Sequence, residues 1–409
     1  MDIDALINSA IFASDESKKK SSREKIRILA KEKGIYSASI HNLYMAIGQG
    51  KVSGFTVPAI NIRALTYDTA RVIFKLALEH QIGPFIFEIA RSEQGYTEQK
   101  PDEYTVAVLA AAIKEGYKGP VFLQGDHYQF KRSVYSITPQ QEIDTLKSLI
   151  KNSIDAGFYN IDIDASTLVD LDKEKAEEQQ KTNFEMTALL HDYIRAIQPQ
   201  GVTVSVGGEI GHIGGKNSNV AEFRAFMNGF KQILKAQGGI SKVSVQTGTS
   251  HGGIPLADGT IAKVSLDFSV LQTIGDAGRE EFKMGGAVQH GASTLPEDLF
   301  YKFPEMKTLE IHLATGFQNT VYDNLPVALK EKMYEWINVN CVKERKEGQT
   351  DEQFLYKTRK KAIGPFKKEL WGMTEAEKKP IREALSKQFL SLFSKLKVLN
   401  TAEQVKPYA

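Results

Sequence analysis

Apolar and polar positions alternate along the chain in two interleaved periods. Short apolar runs that end in a polar residue are each followed by a stretch with helical spacing. The first run is Phe55-Thr56-Val57-Pro58-Ala59-Ile60-Asn61. After it Ala70, Ile73, Phe74 and Ala77 recur at i, i+3, i+4 and i+7, which predicts a helix with one buried stripe. Further strand-like runs fall at 84–90, 120–127, 158–164, 202–208, 242–248, 285–290 and 309–313. Thr138-Pro139-Gln140-Gln141 reads as N-cap, N1 proline and capping-box glutamine for a helix through Ile143, Leu146 and Ile150 to Gly157. A charged, glycine-poor stretch at 170–182 leads to a helix near 183–196. Asn219 and Glu222 form a second capping-box pattern, opening a helix whose apolar face is Phe223, Phe226, Phe230 and Ile233.

Eight strand-like runs alternating with helices predict an α/β protein and, by count, a (β/α)8 TIM barrel. A doubly wound open sheet is the alternative. What separates them is that Asn61, Asp126, Asp164, Glu209, His251, His290 and His312 all fall at or just past the ends of different runs, and a barrel gathers those ends around one mouth. Residues 1–50 read as an N-terminal helical extension, 51–320 as the catalytic barrel and 321–409 as a C-terminal helical appendage. In the appendage Trp336, Trp371 and the stripe Phe389, Leu390, Leu392, Phe393, Leu396 expect burial against the barrel or a partner subunit, hence a homo-oligomer.

Composition narrows the function. Lys+Arg 52 against Asp+Glu 50 gives no general reason to expect nucleic acid. No apolar run approaches the ~18 residues of a membrane span, and no uncharged signal-like core follows Met1. Cys341 is the single cysteine, which excludes an intrachain disulfide and fits a reducing, cytoplasmic setting. Any metal site must therefore use His and carboxylates. His127 closes the third run, in Gly125-Asp126-His127, while His251 and His290 close later runs and are each followed by glycine. Three imidazoles at strand ends expect a divalent metal, zinc or another, with open positions for substrate. Asp126 is a candidate general acid/base or, alternatively, the carboxylate that orients a ligating histidine. Glu209, flanked by the five glycines 207, 208, 211, 214 and 215, is a candidate base, an occasional metal ligand or a turn residue. His212 reads as a loop residue. Gly291-Ala292-Ser293-Thr294, before a short helix at Pro296, is a candidate anion site.

At these residues the chain resembles the class II, metal-dependent fructose-bisphosphate aldolase family. Residues 55–61 resemble its opening strand, Asp126-His127 its acid/base and first metal ligand, and 209–215 its glycine-containing loop. Ser250-His251-Gly252 and His290-Gly291-Ala292-Ser293 resemble its other two metal histidines with phosphate-contacting residues. The resemblance, over residues 40–320, implies a zinc-assisted barrel that cleaves or forms a ketose phosphate through an enediolate of dihydroxyacetone phosphate. It implies His127, His251, His290 and at times Glu209 on the metal, a role for a monovalent cation, and Asn61, Gly252, Gly291, Ala292, Ser293 and Thr315 around a sugar phosphate substrate. Three departures stand out. Lys216-Asn217-Ser218 follows the double glycine where the family usually has acids, and His312-Leu313-Ala314-Thr315-Gly316 stands for the family's Asn-x-Asp-Thr-Asp. Glu88 to Arg91 replaces a Gln and Ser pattern. They leave room for an epimerase, an aldolase of another substrate, or a non-catalytic partner of a true aldolase.

Overall fold

The computed structural model describes residues 2–211, 216–248, 266–292 and 295–408. Within these residues nine parallel strands form one sheet: β1 (Ile35–Ala38), β2 (Val57–Asn61), β3 (Ile86–Ala90), β4 (Gly119–Gln129), β5 (Asn160–Asp164), β6 (Ser205–Glu209), β7 (Lys242–Val245), β8 (Gly286–Gln289) and β9 (Glu310–Leu313). The hydrogen-bonded order runs β4-β3-β2-β9-β8-β7-β6-β5, and β5 pairs back to β4. That last pairing closes an eight-stranded parallel barrel, so the open-sheet alternative is excluded and the (β/α)8 barrel stands. Strand β1, which the apolar pattern did not reveal, lies outside the barrel against the first residues of β4, Ile35 opposite Gly119 through Ala38 opposite Phe122.

Parallel strands require crossovers, and helices supply them. The expected helix after β2 is Thr66–Glu79. The helix after β5 begins earlier than its apolar spacing suggested, at Ala176–Ile197, because the charged residues 176–182 form its first two turns. Asn219 caps Val220–Ile233 as predicted, with Asn219 Oδ1 accepting from Glu222 N at 3.0 Å and Glu222 Oε2 accepting from Asn219 N at 3.3 Å. Thr138 does not cap Pro139–Ala156. Its hydroxyl belongs to the preceding helical turn and donates to Val134 O at 3.3 Å, leaving Pro139 at N1 as the start signal.

The flanking segments close the barrel's base and side. Helix His41–Gly48 lies under the base, where Ile40 N donates to Asn160 Oδ1 at 2.8 Å and the fully buried Tyr44 reaches Glu310. The helical region from Val327 onward packs on the outer helices, including Thr315–Asp323, which follows β9. Phe389 meets Phe317 at 4.5 Å between ring centroids, Arg382 Nη1 donates to Asp68 Oδ1 at 2.8 Å, and Trp371 stands edge-on to Phe12. No helix among the described residues is long and apolar enough to cross a membrane.

The barrel axis is the unusual part. Such barrels are commonly filled by branched aliphatic side chains, but a layer of this one holds Glu88, Gln124, Asp162, Lys242 and Glu310, all buried. Lys242 Nζ sits 2.9 Å from Asp162 Oδ2, 2.6 Å from Glu310 Oε1 and 2.8 Å from Gln124 Oε1. Gly207 of β6 leaves space for this layer, since a Cβ there would come within 2.4 Å of Asp162 Oδ1. Burial penalises each charge heavily unless it is paired. Although burial alone would raise Glu310, Lys242 and His312 hold its carboxyl down at about 2. Asp162 is pushed up to about 6, burial outweighing Lys242.

Candidate active site at the barrel mouth

Adjacent residues of a strand face opposite sides, so Asp126 and His127 could not both point into a regular barrel. The pairing of β4 with β5 shifts between Gly125 and Tyr128, and His127 takes φ +41. This bulge turns both side chains inward and sends Tyr128 outward, where its hydroxyl meets Ser153 on the outer helix. Gly125 is required here because a Cβ would lie 2.4 Å from Cζ of the Tyr128 ring.

Around the bulge the strand ends converge. His127 Nδ1 is 3.0 Å from Asp164 Oδ2 and 3.1 Å from Glu209 Oε2, and His127 Nε2 is 3.8 Å from Asp126 Oδ1. The His290 ring centroid lies 4.0 Å from that of His127 and 4.1 Å from that of His312. His290 Nε2 contacts Ser244 Oγ at 2.6 Å, and its Nδ1 is 3.9 Å from Asp126 Oδ1. Asn61 Nδ2 donates to Asp126 Oδ2 at 3.0 Å and to Glu93 Oε2 at 2.7 Å. Burial works against an ionised Asp126, yet His127, His312 and His290 outweigh it and hold the carboxyl well below its usual range. For His127 burial opposes protonation, but Asp126 and Glu209 hold the imidazole well above its ordinary value. Glu209 moves the other way: burial and the Asp164 charge push it up to about 7.

The convergence opens into a cavity of about 540 Å³ lined by Asn61, Asp126, His127, His290, Gly291, His312 and Thr315, with Arg63, Arg91, Lys131 and Lys360 among its cations. That volume lies within the range of small-molecule sites. Arg63 is oriented by Glu93 at 2.7 Å and by Thr315 Oγ1 at 3.2 Å, and Lys360 reaches the mouth from the turn Arg359–Ala362 in the C-terminal region. Of the sequence-predicted residues, Asn61, Asp126, His127, Glu209, His290, Gly291 and Thr315 are brought to this mouth. Ala292 is fully buried beside it. His212, His251, Gly252, Ser293 and Thr294 lie outside the described residues. Lys216 is turned to the surface and pairs with Glu222 at 2.8 Å, and Ser218 is hydrogen-bonded to Gln246, so the described part of this loop brings no acid to the mouth.

The donor chemistry suits a divalent ion. Ligand atoms of Asp126, His127 and His290 lie within 4.8 Å of one another, as do those of His127, Asp164 and Glu209, and all are the nitrogen and oxygen donors such ions take. Sequence reasoning passed over Glu93, Arg63, Lys131 and Lys360, and it did not give Asp164 or His312 a role at the site although it placed both at strand ends.

The structure is thus a closed parallel barrel with imidazoles and carboxylates gathered at its C-terminal mouth, beside a cavity edged by Arg63, Arg91, Lys131 and Lys360. Its family follows from the sequence: residues 42–378 match the family described as fructose-bisphosphate aldolase class-II, and the chain belongs to it. That family is typically dependent on a divalent metal. Solved structures with the same fold include fructose-bisphosphate aldolase from Campylobacter jejuni, at 16% identity over 90% of this chain and 97% of that one, with a TM-score of 0.53. The YdjI aldolase from Escherichia coli K12 shares 14% identity over 90% of this chain and 99% of that one, with a TM-score of 0.52. Fructuronate-tagaturonate epimerase UxaE from Cohnella laeviribosi shares 11% over 92% and 86%, with a TM-score of 0.58. No curated protein sequence matches the chain.

Proposed function

We propose that the protein is a metal-dependent aldolase that cleaves or forms a ketose (bis)phosphate, with fructose 1,6-bisphosphate to dihydroxyacetone phosphate and glyceraldehyde 3-phosphate as the leading reaction. The observation that carries this reading is the bulge in β4, which sets Asp126 and His127 side by side against His290 and Glu209 in a member of this family. His127 and His290, with His251 and at times Glu209, would hold a divalent ion, zinc in the leading reading. When bound, such an ion polarises the ketose carbonyl oxygen.

The residues then divide the proton transfers. Asp126, kept ionised by its neighbours, accepts the proton of the hydroxyl on the carbon that becomes the aldehyde. The carbon–carbon bond breaks and its electron pair stays with the carbon next to the carbonyl. Glu209, raised to about 7, is suited to carry a proton either way near neutrality, and it returns one to that carbon. Arg63 and Lys360 face the anionic end of the substrate, and Gly291 lies against it.

Zinc-loaded protein should cleave ketose mono- or bisphosphates in a coupled assay. Asp126→Ala should keep its metal and its substrate binding but lose turnover by ~10²–10⁴-fold. If Asp126 only orients a ligand, metal affinity falls by ~10–100-fold instead. A second reading, an epimerase or an aldolase for another substrate, is favoured by one observation: Lys216 is committed to Glu222 at the surface. Solvent deuterium exchange into dihydroxyacetone phosphate separates the two. Loss of exchange in Glu209→Gln supports the first reading, and no exchange in the wild type supports the second.

A further inference from the structure

We propose that His312 is a positioning residue that fixes the carboxylate of Asp126 in its proton-accepting orientation. The inference rests on the reading of Asp126 given above. His312 ends the inward-facing row of β9, and both of its ring nitrogens face carboxylates. Nδ1 lies 3.0 Å from Asp126 Oδ1 and 3.1 Å from Glu88 Oε2, and Nε2 lies 2.6 Å from Glu310 Oε1 and 3.6 Å from Asp162 Oδ2. An ionised carboxylate only accepts, so each ring nitrogen is a donor and neither keeps a lone pair for a metal.

The ring cannot turn, because its anchor cannot move. Besides His312 itself, Glu310 is held by donors from three other places in the fold: Tyr44 below, Gln124 Nε2 at 2.9 Å and Lys242 Nζ at 2.6 Å. Although Glu88, Glu310 and His312 could in principle gather a cation, the Lys242 ammonium already supplies one to Glu310 and Asp162. His312 therefore passes the rigidity of the barrel axis up to Asp126. Asn61 holds the other oxygen of that carboxylate at 3.0 Å, so the pair of donors fixes its rotation about χ2 and leaves its remaining lone pairs to the cavity. With His312 gone, Asn61 would be left as a single hinge, and Asn61 is itself shared with Glu93.

The test uses two amides of opposite reach. The amide nitrogen of asparagine falls near the position of Nδ1 and that of glutamine near Nε2, and both variants stay polar at a buried site. His312→Asn is expected to keep the Asp126 contact and stay within ~3-fold of wild-type kcat, whereas His312→Gln keeps only the Glu310 contact and loses ~10–100-fold in kcat, a loss like that seen when the partner orienting a metal ligand is removed. KM and zinc content should be unchanged in both. Crystal structures should show the Asp126 carboxylate in place in His312→Asn and rotated in His312→Gln. Equal kcat in the two variants, a change confined to KM, loss of zinc, or an unmoved Asp126 in His312→Gln would overturn the proposal. If the wild type turns over no ketose phosphate, the functional reading fails instead, and the placement of Asp126 in the two structures still decides whether His312 positions it.

Discussion

Replacing Lys242 by methionine keeps most of the side-chain volume and removes one ammonium from the centre of the barrel. The side chain is 1% exposed, and its Nζ contacts Asp162, Glu310 and Gln124 within 2.9 Å. Without it Glu310 keeps Tyr44, Gln124 and His312, but among the described residues Asp162 keeps only His312, at 3.6 Å, as a cationic partner. Breaking a buried pair by deleting one partner costs ~3–5 kcal/mol, because the other charge stays behind without compensation. The loss has a pH signature. Asp162 is already raised to about 6 with Lys242 present, so removing the cation must raise it further. An Asp whose folded value lies above the ordinary 3.8 stabilises the fold only in its protonated form, so the deficit of Lys242→Met should shrink as pH falls and grow as pH rises through the variant's folded value. Urea unfolding of wild type and variant, at neutral and mildly acidic pH, measures both quantities. Adding Glu310→Gln should recover part of the loss by removing the carboxylate whose like charge faces Asp162. A cost below ~1 kcal/mol, or one that does not change with pH, would refute the account of the axis as a matched set of charges.

Gly125→Ala would drive a Cβ into the Tyr128 ring, which Ser153 holds from outside, so it should cost ~1–3 kcal/mol in urea unfolding and lower zinc content by displacing His127; unchanged zinc would separate the bulge from the site. His191 is fully buried and held neutral, with burial and Arg195 lowering it from 6.5 to about 4. Its contribution is complete above about 6.5 and is lost as pH falls toward 4, about 3 kcal/mol in all, so His191→Leu should flatten the stability profile in that window; parallel profiles would contradict this. The protein should run as a homo-oligomer in light scattering, with Val327, Val339 and Val342 among its exposed apolar residues, and a monomer would refute it.

The barrel was legible because most of its strands announce themselves twice, by an apolar run and by a polar residue at or just past its end; β3, which ends at Ala90, was found by its apolar run alone. The convergence of Asp126, His127, Glu209 and His290 followed from that ending alone. The charged axis was equally present in the sequence, as Asp162 and Asp164 within β5 and Glu310 and His312 within β9, every second residue facing inward. A reading that looks for apolar runs treats those residues as interruptions. Lys242 was harder still, since its partners Asp162 and Glu310 lie 80 and 68 residues away and nothing local marks it as buried. The short β1 carries too few residues to show a period, and the bulge is visible only as a paired Asp-His whose side chains have no regular way to share a face. Lys360 belongs to a run of basic residues, and only packing distinguishes the one that reaches the mouth.

The charged axis also constrains how this sequence can change. An aliphatic barrel core drifts one residue at a time, since a leucine exchanged for a methionine leaves its neighbours content. Here Glu88, Gln124, Asp162, Lys242, Glu310 and His312 share their hydrogen bonds, and any single exchange strands a partner in low dielectric. Replacements are therefore tolerable mainly in concert, with cation and anion lost together. Homologues should keep the six as a block or replace them as a block, and directed evolution by single steps should find these positions nearly closed while the cavity rim above them stays open to change.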